Sequence, residues 1–148
     1  MAFEFPLHAV LHFRKSLEHQ QELRLRAANQ RVARVRHMID HLDGHRQELQ
    51  SAQAKELSAG ITSAELRFEL HCEAELKRHR EELERQLATL EKLRDQQREI
   101  FQRARQARET LESVRDQQLS LYKKEALRRE QRSLDDVFLM RREFLRRG

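Results

Sequence analysis

One short break divides this sequence into two long segments that contain almost no helix-breaking residues. The chain has 148 residues, with only three glycines and one proline, and the break lies at residues 58–63. Gly60 suits the left-handed conformation that ends a helix. Thr62 and Glu65 have the spacing of a capping box, which predicts that a second helix begins there. A helix end and a helix start this close together predict an antiparallel pair.

Apolar residues on both sides of the break are spaced as in a coiled coil. Alternating steps of three and four residues place them on one helix face, where they form the seam between paired helices. The predicted seam of the first helix contains Leu25, Ala28, Val32, Val35, Ile39, Leu42 and Leu49. That of the second helix contains Leu66, Leu70, Leu76, Leu83, Leu87, Leu90, Phe101, Ala104, Leu111 and Val114.

These patterns predict an all-α fold, a long two-helix antiparallel coiled-coil hairpin that forms a single domain over residues 1–148. The first helix is predicted over about residues 6–57 and the second over about residues 63–146, joined by a turn at residues 58–63. Pro6 suits the first turn of the first helix, where its missing N–H is harmless.

The second helix is predicted to overhang the first. Folding about Gly60 places Leu7 opposite about Val114, so the residues from Arg115 onward have no partner within the hairpin. This segment still carries many apolar residues, which favours binding to another surface over a frayed, partly disordered tail.

Charge is also concentrated near the carboxyl end. Nine basic and five acidic residues between Lys123 and Gly148 contribute +4 of the net charge of +5. The excess suggests an acidic partner, an anionic membrane surface or nucleic acid, and the alternative is a solvated helix face. Acidic residues interrupt the arginines of this segment, which weakens the case for nucleic acid.

Residues able to carry chemistry are sparse, so we expect no enzyme, no cofactor and no metal site. His37, His41 and His45 stand at i, i+4 spacing and could chelate a metal from one helix face, but we interpret them as polar flanking residues. Cys72 is the only cysteine, which excludes an internal disulfide and suggests a small packed or surface residue.

The expected location is cytoplasmic. The sequence that begins MAFEFPLH lacks the basic and apolar regions of a signal peptide, and no apolar run approaches the length of a membrane span. At most, a peripheral contact with the membrane is expected.

A second, mildly apolar stripe lies near the turn. Phe68 falls off the predicted Leu66–Leu70 seam and shares this stripe with Cys72 and His79. An exposed phenylalanine there suggests a contact point for a partner, although single exposed apolar residues are common.

Three stretches of the chain resemble the FliJ family of flagellar type III export proteins. They are residues 3–14 (FEFPLHAVLHFR), residues 60–66 (GITSAEL) and residues 130–136 (EQRSLDD). Between them only the coiled-coil pattern is shared.

The resemblance implies a non-enzymatic stalk of the flagellar export apparatus, peripheral to the inner face of the cell membrane at the flagellar base. Its implied partners are the hexameric export ATPase, the cytoplasmic domain of the export gate and export chaperones, with no nucleic acid. Hypothetical contacts with the ATPase ring are Phe3, Phe5, Leu7, Leu11, Arg128, Arg129, Arg132, Leu134, Phe138, Arg141 and Arg142. Hypothetical contacts with the gate are Phe68, Cys72, Leu76 and His79. The alternatives are a virulence-type secretion stalk and a basic coiled coil with a nucleic-acid-binding or structural role.

Overall fold

The protein, as a computed structural model that describes residues 2–148, has the predicted all-α fold. It contains two long helices that pack against each other, α1 (His8–Ala59) and α2 (Ser63–Arg147), and residues 2–148 include no strand. Pro6 lies just before α1, in a turn closed by the His8 N–H, which donates to the Phe5 carbonyl oxygen at 3.1 Å.

The residues group into two compact units, each containing part of both helices, and the single domain over residues 1–148 stays a prediction. The turn unit comprises residues 19–102. The terminal unit comprises the residues up to Glu18 together with residues 103–148.

The turn between the helices has the predicted chemistry. Gly60 has a φ of +90°, which lies in the left-handed region that favours glycine. The Glu65 N–H donates to Thr62 Oγ1 at 3.2 Å, and the Thr62 N–H donates to Glu65 Oε2 at 3.4 Å. These two hydrogen bonds form the capping box, which satisfies backbone donors at the start of α2.

An apolar cluster holds the helices of the turn unit together. Val35 and Ile39 of α1 are buried against Leu83 of α2, which is only 5% exposed. Half-buried Leu42, Leu87 and Leu90 pack around this cluster. The predicted seam is therefore present here, and burial of these side chains is the main favourable contribution to pairing.

Ion pairs flank the cluster and report the antiparallel direction. Arg36 pairs with Glu91 at 2.8 Å, and farther along α1, Asp43 pairs with Arg80, which lies earlier in α2. The hydrogen bond from Arg80 lowers the pKa of Asp43 below its ordinary value. Both side chains of this pair remain more than a third exposed, so solvent screens their attraction.

The terminal unit contains buried apolar residues and ion pairs between the helices. Leu11 is only 2% exposed, and Phe5 and Ala104 are also buried. Arg108 of α2 pairs with Glu18 of α1 and with Glu112 of its own helix. The hydrogen bond with Glu18 raises the pKa of Arg108, so the guanidinium remains charged.

The overhang of α2 begins later than predicted. The Phe3 and Tyr122 rings lie 5.5 Å apart between centroids, well beyond the predicted limit at Val114. The residues before α1 are not helical, and an extended residue covers about 3.3 Å against 1.5 Å in a helix. Half-buried positions of α2 continue to Ala126, and every residue from Leu127 onward is exposed.

The predicted seam is wrong at the start of α2. Leu66 and Leu70 are exposed, Leu70 by 56%, although their spacing matched the pattern. On α1 the seam also weakens toward the turn, where the Leu49 side chain is exposed. The helices are therefore less tightly joined near the turn than around Leu83.

We expect Leu83→Ala to lower the free energy of unfolding by about 2 kcal/mol, the lower end for a buried leucine, because a two-helix seam buries less than a globular core. Leu70→Ala is the matched control on the same helix and should change it by less than about 0.5 kcal/mol. Urea denaturation followed by circular dichroism measures both. Equal losses in the two variants would contradict the assignment of the seam.

We expect Asp43→Asn to lower the free energy of unfolding at neutral pH. The free energy of unfolding of this variant should also fall less than that of the unmodified chain as the pH is lowered. Because the folded-state pKa of Asp43 is lowered, its contribution is fully present above the ordinary value of 3.8 and is lost as the pH falls through the folded pKa. Thermal melts between pH 7 and pH 2 measure this difference. Asp40→Asn, an exposed position on the same helix, is the control and should follow the unmodified chain. Parallel pH curves for all three chains would contradict the prediction.

Candidate interaction surfaces

A groove opens in the turn unit where the seam weakens, and we call it the tip groove. It has a volume of about 830 Å³ and lies between the last turns of α1 and the first turns of α2. Its apolar lining consists of Leu49, Ala52, Ala59, Ile61, Ala64, Phe68, Cys72 and Leu76. Its charged lining consists of Arg46, Glu56, Glu65, Glu69 and Glu73, and Gln50, Gln53 and Gly60 complete it.

The groove exists because α1 lacks large apolar side chains where the seam should continue. Steps of three and four from Leu42 fall on Arg46, Leu49, Gln53 and Glu56. Only Leu49 among these can fill an apolar seam, and the charged residues keep their head groups in water. This interruption of the apolar spacing is visible in the sequence and could have predicted the groove, but the predicted seam considered only the positions of the apolar residues.

Negative charge dominates the lining. Arg46 is the only described cation there, and its Nη2 lies 3.4 Å from Glu73 Oε1. Buried Nε of Arg46 has no hydrogen-bond partner within residues 2–148. A hydrogen bond between the Glu69 and Glu56 side chains raises the pKa of Glu69, with additional contributions from desolvation and the neighbouring charges. Two carboxyl groups held this close favour the approach of a cation.

The groove brings together three of the four residues predicted to contact the export gate. Phe68 is 68% exposed, while Cys72 and Leu76 are half-buried, and all three line the groove. His79 is exposed on α2 and is not part of the lining. The α1 side of the groove was not predicted from the sequence, and it is provided by Leu49, Ala52 and Glu56.

The second candidate surface is the carboxyl-terminal part of α2, residues 127–148, which we call the terminal surface. All of its large apolar side chains are more than half exposed: Leu127, Leu134, Val137, Phe138, Leu139, Met140, Phe144 and Leu145. So many exposed apolar residues on one helical segment are typical of a binding surface.

Most arginines predicted to contact the ring are available on the terminal surface. Within the described part of the chain, Arg128, Arg132, Arg141 and Arg142 form no ion pair. Arg129 pairs with Glu125 at 3.5 Å on the same helix, and both side chains are well exposed. A partner can therefore reach these guanidinium groups without breaking a buried ion pair.

The amino-terminal residues predicted to contact the ring are mostly occupied inside the chain. Phe5 and Leu11 are buried, and half-buried Phe3 packs against Tyr122. Only Leu7, at 42% exposure, presents a large part of its side chain to solvent. Phe5 and Leu11 are thus buried within the terminal unit, where Phe3 contacts Tyr122 of α2.

Neither the histidines nor the apolar stretches of the helices indicate a further site within residues 2–148. His37, His41 and His45 are all exposed on α1. Residues 2–148 contain no group of three or more histidine, cysteine, aspartate or glutamate side chains arranged to hold a metal ion. Neither described helix has an apolar stretch long enough to cross a membrane.

We expect Glu69→Gln to stabilise the chain at pH 7 but not at pH 3. The folded-state pKa of Glu69 is raised, so ionisation costs stability as the pH rises from the ordinary value of 4.5 through the folded pKa. Glutamine removes the charge and keeps the shape. Glu99→Gln, at an exposed position of the same helix, is the control for a generic loss of charge. If the melting temperature of the Glu69→Gln chain is unchanged at pH 7, an unfavourable interaction between the Glu56 and Glu69 carboxyl groups is contradicted.

Comparison with known proteins gives one informative match. Neither the curated proteins nor the solved structures include a significant match to this chain. The family described as flagellar FliJ protein matches residues 3–148, essentially the whole chain. The match includes both helices and the turn, and it confirms the resemblance seen in the three short stretches. The chain therefore belongs to the FliJ family and is a flagellar export protein.

Proposed function

We propose that this flagellar export protein is a non-enzymatic stalk whose terminal surface enters the ring of the hexameric export ATPase. The same chain contacts the cytoplasmic domain of the export gate through the tip groove and helps recycle export chaperones. It works at the inner face of the cell membrane, as a peripheral component of the flagellar base.

The observation that carries this proposal is the terminal surface. From Leu127 onward α2 continues as a helix with every residue exposed, beyond the region that α1 and the amino-terminal segment cover. A single α-helix with its side chains is about 10–12 Å across, which is narrow enough for a central pore. Leu134 and Phe138 supply apolar contacts, and the arginines complement acidic groups in the pore lining.

A stalk of this kind would act through its asymmetry. A single helical segment inside a sixfold ring cannot contact six identical subunits in the same way at the same time. The ATPase subunit that contacts Phe138, for example, meets a different part of the stalk from the subunit on the opposite side of the ring. Differential contacts shift the conformational equilibrium of each subunit by the difference in binding free energy, which supports ordered turnover around the ring.

The gate contact rests on the groove near the turn. Phe68 presents an exposed ring beside half-buried Cys72 and Leu76, so a partner side chain can enter between the two helices. His79 lies outside the lining and would contact only a partner that extends past the groove. The chaperone role follows from the family alone, and we assign no surface to it.

Removal of residues 127–148 tests the ring contact. We expect the shortened chain to keep its paired helices, because half-buried positions end at Ala126, and to lose ATPase binding and any stimulation of hydrolysis. Pull-down with the purified ATPase and a phosphate-release assay measure these effects. Undiminished binding and stimulation would show that the terminal surface is not the stalk.

Point substitutions separate the apolar contact from a general effect of truncation. Leu134→Asp with Phe138→Asp should abolish stimulation, whereas Leu66→Asp with Leu70→Asp, which are also exposed on α2 but lie outside the terminal surface, should leave it unchanged. Arg128→Glu with Arg132→Glu should weaken binding most at low salt, because exposed charges are screened over about 8 Å at physiological ionic strength. Arg85→Glu with Arg103→Glu is the matched charge control.

A further inference from the structure

Two exposed surfaces of this chain have opposite charge and a similar apolar character. The tip groove has an apolar lining with four carboxylates and one guanidinium. The terminal surface has an exposed apolar stripe with arginines beside it. We propose that the tip groove of one copy binds the terminal surface of a second copy, an interaction that goes beyond the proposed contacts with the ATPase and the gate.

The terminal surface carries an apolar stripe of the kind that binds in an apolar groove. Leu127, Leu134, Phe138 and Leu145 follow one face of α2, since they are separated by seven, four and seven residues. A helix commonly binds by laying such a stripe into an apolar groove. The groove volume of about 830 Å³ is enough to receive several large side chains of this stripe.

The charges are arranged on both sides of the apolar parts. In the groove, Glu56 belongs to α1, whereas Glu65 and Glu69 belong to the turn-proximal part of α2. On the terminal surface, Arg141 and Arg142 lie on opposite sides of the line from Phe138 to Leu145, because consecutive residues differ by about 100° around a helix. A helix that lies along the groove opening can therefore bring a guanidinium on either side of its apolar stripe toward these carboxylates.

Both surfaces gain electrostatically from this contact. Glu56 and Glu69 both line the groove, and the proximity of Glu56 raises the pKa of Glu69, so a cation beside these carboxyl groups relieves their unfavourable interaction. Arg141 and Arg142 form no ion pair among the residues that the structure describes, so no existing pair has to be broken.

The interaction would oppose the proposed functions. A terminal surface held in another copy's groove is unavailable to the ATPase ring, and an occupied groove excludes the gate. Self-association therefore stores the free protein with both surfaces covered, and the partners release it by mass action.

Cys72, the only cysteine, lines the groove and provides a native reporter. The unmodified full-length chain is mixed with a size-tagged chain carrying Cys72→Ala and Gln131→Cys, then treated with a short bis-maleimide. Gln131 lies on the apolar face between Leu127 and Leu134, so we expect a mixed product. The matched control is Cys72→Ala with Asp136→Cys, on the opposite face of the same segment, and it should give severalfold less. Equal yields from the two faces, or products joining only identical chains, would overturn the proposal.

A second experiment reverses the charges on the terminal surface and in the tip groove. Arg141→Glu with Arg142→Glu should weaken self-association, measured by sedimentation equilibrium, by roughly three- to tenfold, and Glu56→Lys with Glu69→Lys should do the same. A mixture of the two variants, with Cys72→Ala and Gln131→Cys added to the Arg141→Glu, Arg142→Glu chain, should regain the mixed crosslink, whereas Glu99→Lys should not change self-association. Circular dichroism verifies that each variant is folded. A monomer at all concentrations, or no recovery in the mixture, would overturn the proposal, while ATPase stimulation measured on the same variants tests the stalk function separately.

Discussion

Pairing of α1 with α2 through a narrow apolar seam is the constraint on which every other feature of this chain depends. Neither helix can bury its apolar face alone, and helices in water gain most of their stability from such packing. Val35, Ile39 and Leu83 supply the tightest part of the seam, and Leu11 supplies it in the terminal unit. Charged residues at the flanks help to set the register between the two helices but contribute little to stability, because most of their pairs are exposed.

The functional surfaces lie where this seam stops. Around the turn, Arg46, Gln53 and Glu56 occupy positions that a continuous seam would fill with apolar residues, so the helices enclose a groove instead. Beyond Ala126, α2 packs against no other part of residues 2–148, and its apolar residues face solvent. Because packing between the helices stops at these two places, the apolar side chains that would stabilise a longer hairpin are available to bind other proteins.

How far the sequence predicts the structure depends on whether a feature is local. Gly60, Thr62 and Glu65 determine the turn within a few residues, so their prediction was sound. Leu66 and Leu70 were placed in the seam wrongly, because apolar spacing does not report whether the facing helix offers a surface.

The amino-terminal segment shows the same limit. Contact between Phe3 and Tyr122 joins two residues far apart in sequence, and no periodic pattern indicates it. The family resemblance suggested Phe5 and Leu11 as contacts with the ATPase ring, whereas the chain itself buries both side chains. Their burial leaves Leu7 as the main exposed apolar residue of that segment.

Stability of the unpaired part of α2 must come from local interactions. Arg129 with Glu125 and Arg147 with Glu143 are i, i+4 pairs, and such pairs stabilise an exposed helix by about 0.2–0.5 kcal/mol each. The segment also continues a long helix, so it avoids the cost of nucleation. A preformed helix loses less conformational entropy when it binds than a disordered tail would. Continuity with the paired part of α2 is therefore what makes an otherwise uncovered segment suitable for binding.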